Sequence, residues 1–222
     1  IRKGSSMLSQ HSSPRRRLAA AGALLFSAAL VLTGCSGGLA SGGEDAASSD
    51  GPIKLGMLAP FSGSEAAFGD YMKFGAQLAI DEVNADGGVD GRDLELVTED
   101  DACDATAAVA AAQKLVTAGV EGSVGGYCSG ATLPTLPIFA EAGIPMVIPA
   151  ANSNELVGQG AFMINGTGTQ QAEAAVEWLT KEGAKTVVIV DDNQAYPKDL
   201  ADSIEKQAEG IDIKRESVNP KE

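Results

Sequence analysis

From Pro52 onward the chain alternates short apolar runs with longer stretches of helical periodicity, joined by short connections. The apolar runs are IKLGMLAP (53–60), DLELVTED (93–100), VEGSVGG (120–126), IPMVIPA (144–150), KTVVIVDD (185–192) and IDIKRESV (211–218), with FMINGT (162–167) a weaker candidate. Between them lie helical stretches. In 67–88, Phe68, Met72, Ala76, Ala79, Ile80 and Val83 recur near helical spacing; 104–119 is opened by Asp104 as a cap and stopped by Gly119. Three more follow at 129–142, with Pro134 and Pro137 close to its start, at 169–183 and at 195–210. This order predicts an α/β fold of right-handed βαβ units, with a parallel sheet and helices on both faces.

The alternation breaks between Pro149 and Gln170, where the chain runs through AANSNELVGQGAFMINGTGT, rich in Gly and Asn. A lobe boundary is expected there: residues 52–150 form a first α/β lobe, 151–169 a crossover or hinge, and 170–222 a partial second α/β lobe. The second series holds only a helix, a strand, a helix and a strand before Pro220-Lys221-Glu222, too little for a self-sufficient sheet. The expectation is therefore a two-lobed molecule whose second lobe is incomplete in this chain.

The first residues carry a different pattern. Arg15, Arg16 and Arg17 precede a small and apolar run from Leu18 to Leu32, which ends in Leu32-Thr33-Gly34-Cys35. A membrane-spanning helix needs about 20 apolar residues, so this run is short for one and fits a signal-peptide core. The closing L-x-G-C resembles the bacterial lipobox, which implies lipidation of Cys35. Residues 1–34 are then a lipoprotein signal region, and 35–51, made of Gly, Ser, Ala and acids, a flexible tether holding an extracytoplasmic domain on the cell membrane. The net charge is −14, and all 30 acids lie at or after Glu44 while 5 of the 16 basic residues precede Cys35. From Cys35 on, 11 basic residues face 30 acids, a net of −19. So acidic a surface argues against nucleic acid as a partner and suits solubility.

Beyond Cys35 the only cysteines are Cys103 and Cys128, and the only histidine, His11, lies in the signal region. An exported pair in an oxidising setting is usually a disulfide. Cys128 also sits in GGYCSGAT (125–132), where Gly126-x-Cys128-x-Gly130 can be read as a nucleophile elbow with an attacking thiolate. That chemistry needs a base, nearly always His, and none follows the signal region. The same segment can be read as a strand-to-helix turn in which Ser129 faces an anion, or caps its own helix. Asp100-Asp101 with Asp104, and Asp191-Asp192, lack the spacing of a calcium loop and suit solvated or capping roles. Trp178 and the Ala-rich helix suit packing, and neither a P-loop nor a dinucleotide fingerprint appears, so no cofactor is expected.

Several longer stretches add up to a family resemblance. KLGMLAPFSG (54–63), Phe68-Gly69-Asp70, AIDEVNADGGVDGR (79–92), DDACD (100–104), GGYCS (125–129) and IPAA (148–151) occur in the order and at the spacing of the branched-chain amino acid substrate-binding proteins of ABC transporters, and the resemblance covers about 53–218. It implies a type I periplasmic-binding-protein fold that closes two lobes on a leucine-like or other small amino-acid-like solute and hands it to a permease. A non-enzymatic, monomeric protein is expected. The same fold also serves as a sensor domain, and a solute such as an amide, a urea or an aromatic acid is the alternative.

Ligands of open parallel sheets collect beyond the carboxyl ends of the strands, and the resemblance places the ligand contacts there. It implies Ser129 on the ligand carboxylate, the Ala150 carbonyl on the ammonium, a hydroxyl at the place of Asn152 with Ser153 adjacent, an aromatic wall at Phe68, and a second aromatic at Tyr196. This chain departs from the pattern at Asn152, where the family usually has Thr.

Overall fold

The computed structural model describes residues 51–218. The Cys35 lipidation, the signal region and nearly all of the tether therefore lie outside the described residues. Strand β1 (Ile53–Ala59) leads into α1 (Ala66–Ala85), β2 (Leu94–Asp100), α2 (Ala105–Thr117), β3 (Gly122–Val124), α3 (Ser129–Thr132), α4 (Leu136–Glu141), β4 (Met146–Ile148) and β5 (Phe162–Met163). After β5 come α5 (Gly168–Lys181), β6 (Thr186–Asp191), α6 (Ala195–Gln207) and β7 (Asp212–Ser217). The expected α/β alternation is present throughout.

Strands β1 to β5 form one all-parallel sheet in the order β2-β1-β3-β4-β5. β1 lies between β2 and β3, and its last four residues are all buried, which explains why it reads as a continuous apolar run rather than an alternating one. The core packs α2 and α4 on this sheet through Leu58, Leu115, Phe139, Met146, Ile148 and Leu156, each almost fully shielded from solvent. Gly56 lets α2 approach: a β-carbon there would stand 3.1 to 3.3 Å from Leu115 and Val120. Asp104 caps α2 by accepting the Ala107 amide at 2.8 Å, and Gly119, at φ +73°, follows its end. Both features were legible in the sequence.

Three sequence expectations change. The helix expected over 129–142 is broken into α3, a 3-10 turn at Leu133–Thr135, and α4, because Pro134 and Pro137 have no amide hydrogen to continue a helical ladder. The weak candidate strand at 162–167 is real over two residues. It pairs with β4, so part of the stretch read as crossover adds to the first sheet. Trp178 does not pack: it is 60% exposed, because α5 turns Gly168 and Ala172 inward and Trp178 lies off that face.

β6 and β7 form a separate two-stranded parallel sheet, with α6 against β6 and α5 against α6. No helix among the described residues is long and apolar enough to cross a membrane.

Candidate functional site

All five strands of the first sheet run parallel, so the chain leaves β1, β3 and β4 at one edge. Backbone hydrogen bonds lock these exits together. The Gly125 amide donates to Val147, the Gly126 amide to Leu58, and the Ala151 amide to Gly126, at 2.9 to 3.1 Å. Only glycine fits the turn: Gly126 has φ +98° and a β-carbon there would strike Thr132, while one on Gly125 would strike the Leu58 backbone.

The turn after β2 is built by its acids. Asp100 accepts the Phe61 and Ala102 amides at 2.8 and 2.9 Å, and Asp101 accepts the Cys103 amide at 2.9 Å. These bonds hold Ala102 and Cys103 in left-handed backbone conformations (φ +47° and +54°), which are rare for residues other than glycine. Burial pushes the Asp100 carboxyl up, but hydrogen bonds from Ser62, Phe61 and Ala102 outweigh it and hold the group below its ordinary range. Asp101 is buried, and burial, with the Asp100 charge adding to it, raises its carboxyl despite the Cys103 amide. The acids of DDACD thus serve the backbone, as the spacing suggested. The turn presents Cys103 to Cys128, and the two form a disulfide with their Cα atoms 5.3 Å apart. Cys128 therefore has no thiol, and the nucleophile elbow is without a nucleophile.

Ser129, next to the disulfide, is 3% exposed. Its Oγ accepts the Asn152 amide at 3.2 Å and the Ser153 amide at 3.1 Å. It is the first residue of α3, and the cap position belongs to Cys128, so Ser129 does not cap its own helix. A serine oxygen accepts two hydrogen bonds and donates one. With both acceptor places filled, Ser129 has one proton to give, and no protein group among the described residues takes it.

The resulting cleft, about 930 Å³, is lined by Ser129, Ala150, Asn152 and Tyr196 from the expected set. The Ala150 carbonyl accepts the Asn165 Nδ2 at 2.7 Å, which occupies one of its two lone pairs. Asn165 Oδ1 is buried without a partner among the described residues. The Asn152 side chain makes no hydrogen bond among the described residues, so it forms no Asx turn, and the Asn152 backbone carbonyl accepts the Gly168 amide at 2.8 Å. Tyr196 stands on the opposite wall, at the start of α6, and its hydroxyl donates to Gln171 at 2.8 Å.

Two expected contacts do not reach the lining. Ser153 is buried and turned inward, where its Oγ accepts the Glu155 amide at 3.3 Å and caps a short 3-10 turn. Phe68 is neither a core residue nor a lining one: it is 46% exposed and stacks on Tyr127, with ring centroids 5.0 Å apart and planes 18° from parallel. Tyr127 is the aromatic that faces the cleft on this wall. Its hydroxyl donates to Glu65 at 3.4 Å, and burial, then the Glu65 carboxylate, pushes its phenol up. Tyr127, Glu65 and Gln194 line the cleft without having been singled out from the sequence, and Asp192, read there as solvated or capping, lines it too. Also unforeseen is Asn154, which joins the crossover to α5 and α6 through five hydrogen bonds with Asp199, Ser203 and Thr169.

The cleft lies between the carboxyl edge of one parallel sheet and the start of a helix that packs on a second, the place where ligands of open α/β sheets collect. The sequence model of the periplasmic binding protein family matches residues 52–221, and the chain belongs to that family. It is 36% identical over 166 residues to a leucine-, isoleucine-, valine-, threonine- and alanine-binding protein of Pseudomonas aeruginosa, a match spanning 73% of this chain and 44% of that protein. Its fold is similar to that of the branched-chain amino acid transporter substrate-binding protein LivJ of Streptococcus pneumoniae in complex with isoleucine, with TM-score 0.72 and 32% identity over 77% of this chain and 51% of that one. A solute-binding protein of an ABC transporter from R. palustris, in complex with 4-hydroxybenzoate, matches at TM-score 0.68 and 25% identity over 76% and 46% of the two chains. The chain thus spans about half the length of the relatives it matches. The type I periplasmic-binding-protein fold expected from the sequence is the observed one.

Proposed function

We propose that this chain is the ligand-capturing part of a non-enzymatic ABC-transporter substrate-binding protein that takes up a small amino acid. The observation that carries this is the Ser129 hydroxyl, which accepts two amides and has only a proton left to offer the cleft. Such a group suits a carboxylate and not a second donor. The Ala150 carbonyl keeps one lone pair for an ammonium, Asn152 has an uncommitted amide side chain, and Tyr196 covers the ligand from the other wall. Ser153 and Phe68 act through Ser129 and Tyr127 rather than by touch.

Capture then follows by closure of two lobes, 52–150 and 170–222, about a crossover at 151–169. Delivery is to a membrane permease, by a monomer tethered through lipidated Cys35 at the outer face of the cell membrane. The relatives that carry amino acids support this reading. The 4-hydroxybenzoate-binding relative and the stacked Phe68–Tyr127 pair favour a second one, an aromatic carboxylate held by the same serine.

Isothermal calorimetry of the full-length protein against the amino acids and a set of benzoates separates the two. Nanomolar-to-micromolar binding of an amino acid, weakened in Ser129→Ala, is the expected result. Binding of a benzoate, an amide or a urea, and of no amino acid, overturns the amino-acid reading.

A further inference from the structure

The cleft has two walls, and successive residues of the crossover are anchored to one and then to the other. The Asn152 and Ser153 amides donate to Ser129 Oγ, on the wall built by the first sheet. The next amide, that of Asn154, donates instead to Asp199 Oδ2 at 2.8 Å, on α6, the helix that carries Tyr196. One peptide step thus separates the anchorage of the ligand-facing serine from that of the opposite wall.

Asn154 itself belongs to the first sheet. It lies in the connection between β4 and β5, which pair with each other, and Leu156, two residues on, is fully buried in the core of that sheet. Its side chain reaches the other way. Nδ2 donates to Asp199 Oδ1 at 3.0 Å and to Ser203 Oγ at 3.2 Å, while Oδ1 accepts the Thr169 amide and hydroxyl at 3.0 and 2.9 Å. Two donors and two lone pairs are all that an asparagine side chain has, and all four are used. A single half-buried side chain thereby fixes the first turn of α5 and the middle of α6 together.

Both oxygens of Asp199 are taken in turn by Asn154. The covalent crossover passes through the same point. A β-carbon on Gly168 would strike the Asp199 carboxylate and stand 3.3 Å from Asn154 Nδ2, so only glycine lets the chain cross there. None of Asn154, Gly168 and Asp199 lines the cleft. Tyr196, which does, lies one helical turn before Asp199 on α6, so whatever fixes Asp199 fixes the base of Tyr196. Holding contact groups in place before the ligand arrives raises affinity, because less order remains to be imposed on binding.

We propose that the Asn154–Asp199 pair, closed around Gly168, is a clasp that sets α6, and with it Tyr196, against Ser129, and that it tunes ligand affinity without touching the ligand. Both are positioning residues. This rests on the cleft being the solute site, with Tyr196 as its far wall.

The test exchanges the two groups in the full-length protein. Asn154→Asp sets two carboxylates against each other, and Asp199→Asn turns an amide donor towards the Asn154 donors. The double variant, Asn154→Asp with Asp199→Asn, again places one carboxylate against one amide and can remake every hydrogen bond. Calorimetry with L-leucine, L-isoleucine, L-alanine and 4-hydroxybenzoate is run beside thermal melting and hydrogen exchange of the ligand-free protein. Each single substitution is expected to weaken whichever solute binds the wild type by about tenfold or more, the scale of one hydrogen bond to a charged group. The double variant should return to within about threefold of the wild type. Exchange over 168–171 and 194–199 should quicken in both single variants and slow again in the double one. Wild-type affinity in both single variants overturns the clasp and leaves the solute-binding reading standing. So does a double variant that melts at the wild-type temperature yet binds as weakly as the single ones. Binding of none of the four solutes by the wild type removes the solute-binding reading instead. The hold on α6 then stands if exchange quickens in the single variants, and falls if it does not.

Discussion

The two sheets use the same βα grammar to very different effect. The first buries a core of large side chains, with Leu58, Leu115, Phe139, Met146 and Ile148 almost wholly shielded. In the second, from α5 to β7, the only buried hydrophobic side chains are Ala172, Ala201 and Ala208, while Val188 and Val190 on one face of β6 stay 57% and 63% exposed. What holds the second sheet together is mainly polar. Asp191 at the end of β6 accepts Arg215 Nε at 2.6 Å and the Ser217 hydroxyl, and Arg215 also pairs with Asp202 on α6. Hydrophobic burial scales with area removed from water, whereas the attraction within a buried ion pair is largely offset by the cost of desolvating its charges. In this chain Ser129 and Ala150 therefore stand on a densely packed sheet, and Tyr196 on one held mainly by polar contacts. Native-state hydrogen exchange should show β1, β3 and β4 as the slowest amides and β6 and β7 as markedly faster; equal protection would erase the contrast.

Substitutions sharpen it. Phe139→Ala should cost about 3–5 kcal/mol in chemical denaturation, the usual cost of emptying a packed aromatic site. Opening the disulfide by Cys103→Ser with Cys128→Ser should cost about 3–4 kcal/mol, because the 25-residue separation it closes gives that loss in the chain-entropy model. Free-thiol titration of the wild type under denaturing, non-reducing conditions should find neither Cys103 nor Cys128 reactive.

The second sheet answers to acid instead. The Arg215 hydrogen bond lowers the Asp191 carboxyl; burial opposes this, and the Asn193 amide and Ser217 hydroxyl add to it. A carboxyl held lower in the folded than in the unfolded state stabilises the fold above the unfolded value, about 3.9. That stability is lost as pH falls from there through the folded value. Exchange of β6 and β7 amides should therefore accelerate, relative to β1 and β3, on going below about pH 4. Arg215→Met should remove most of this dependence and speed their exchange at neutral pH. The smaller effects come last: Asp104→Ala, which uncaps α2, about 1 kcal/mol, and Val190→Thr on the open face, within about 0.5 kcal/mol.

Much of the fold was legible because its signals are local. Apolar runs, helical spacing, the Asp104 cap and the Gly119 stop each lie within a few residues of what they determine. The staple was legible from the inventory of cysteines, which needs no geometry. What escaped depends on residues distant in sequence. Glu65 meets Tyr127 across 62 positions, and Asn154 meets Asp199 across 45. Ser153 looked like a contact because it neighbours Asn152, but successive residues of an extended segment face opposite ways, and its side chain points inward. The resemblance implied an aromatic wall at Phe68, and its ring instead backs Tyr127. Ser129 stands at the strand exit, where the sequence put it, but its character as a pure donor appears only once the Asn152 and Ser153 amides are seen to fill its lone pairs.

That character is the centre of the account, and a crystal structure of the full-length protein with its amino-acid ligand tests it most directly. A ligand carboxylate oxygen should lie within about 2.5–3.0 Å of Ser129 Oγ, with the Asn152 and Ser153 amides still donating to that same oxygen. A ligand seated away from Ser129, or one that presents a donor to it while those amides turn elsewhere, would contradict the account.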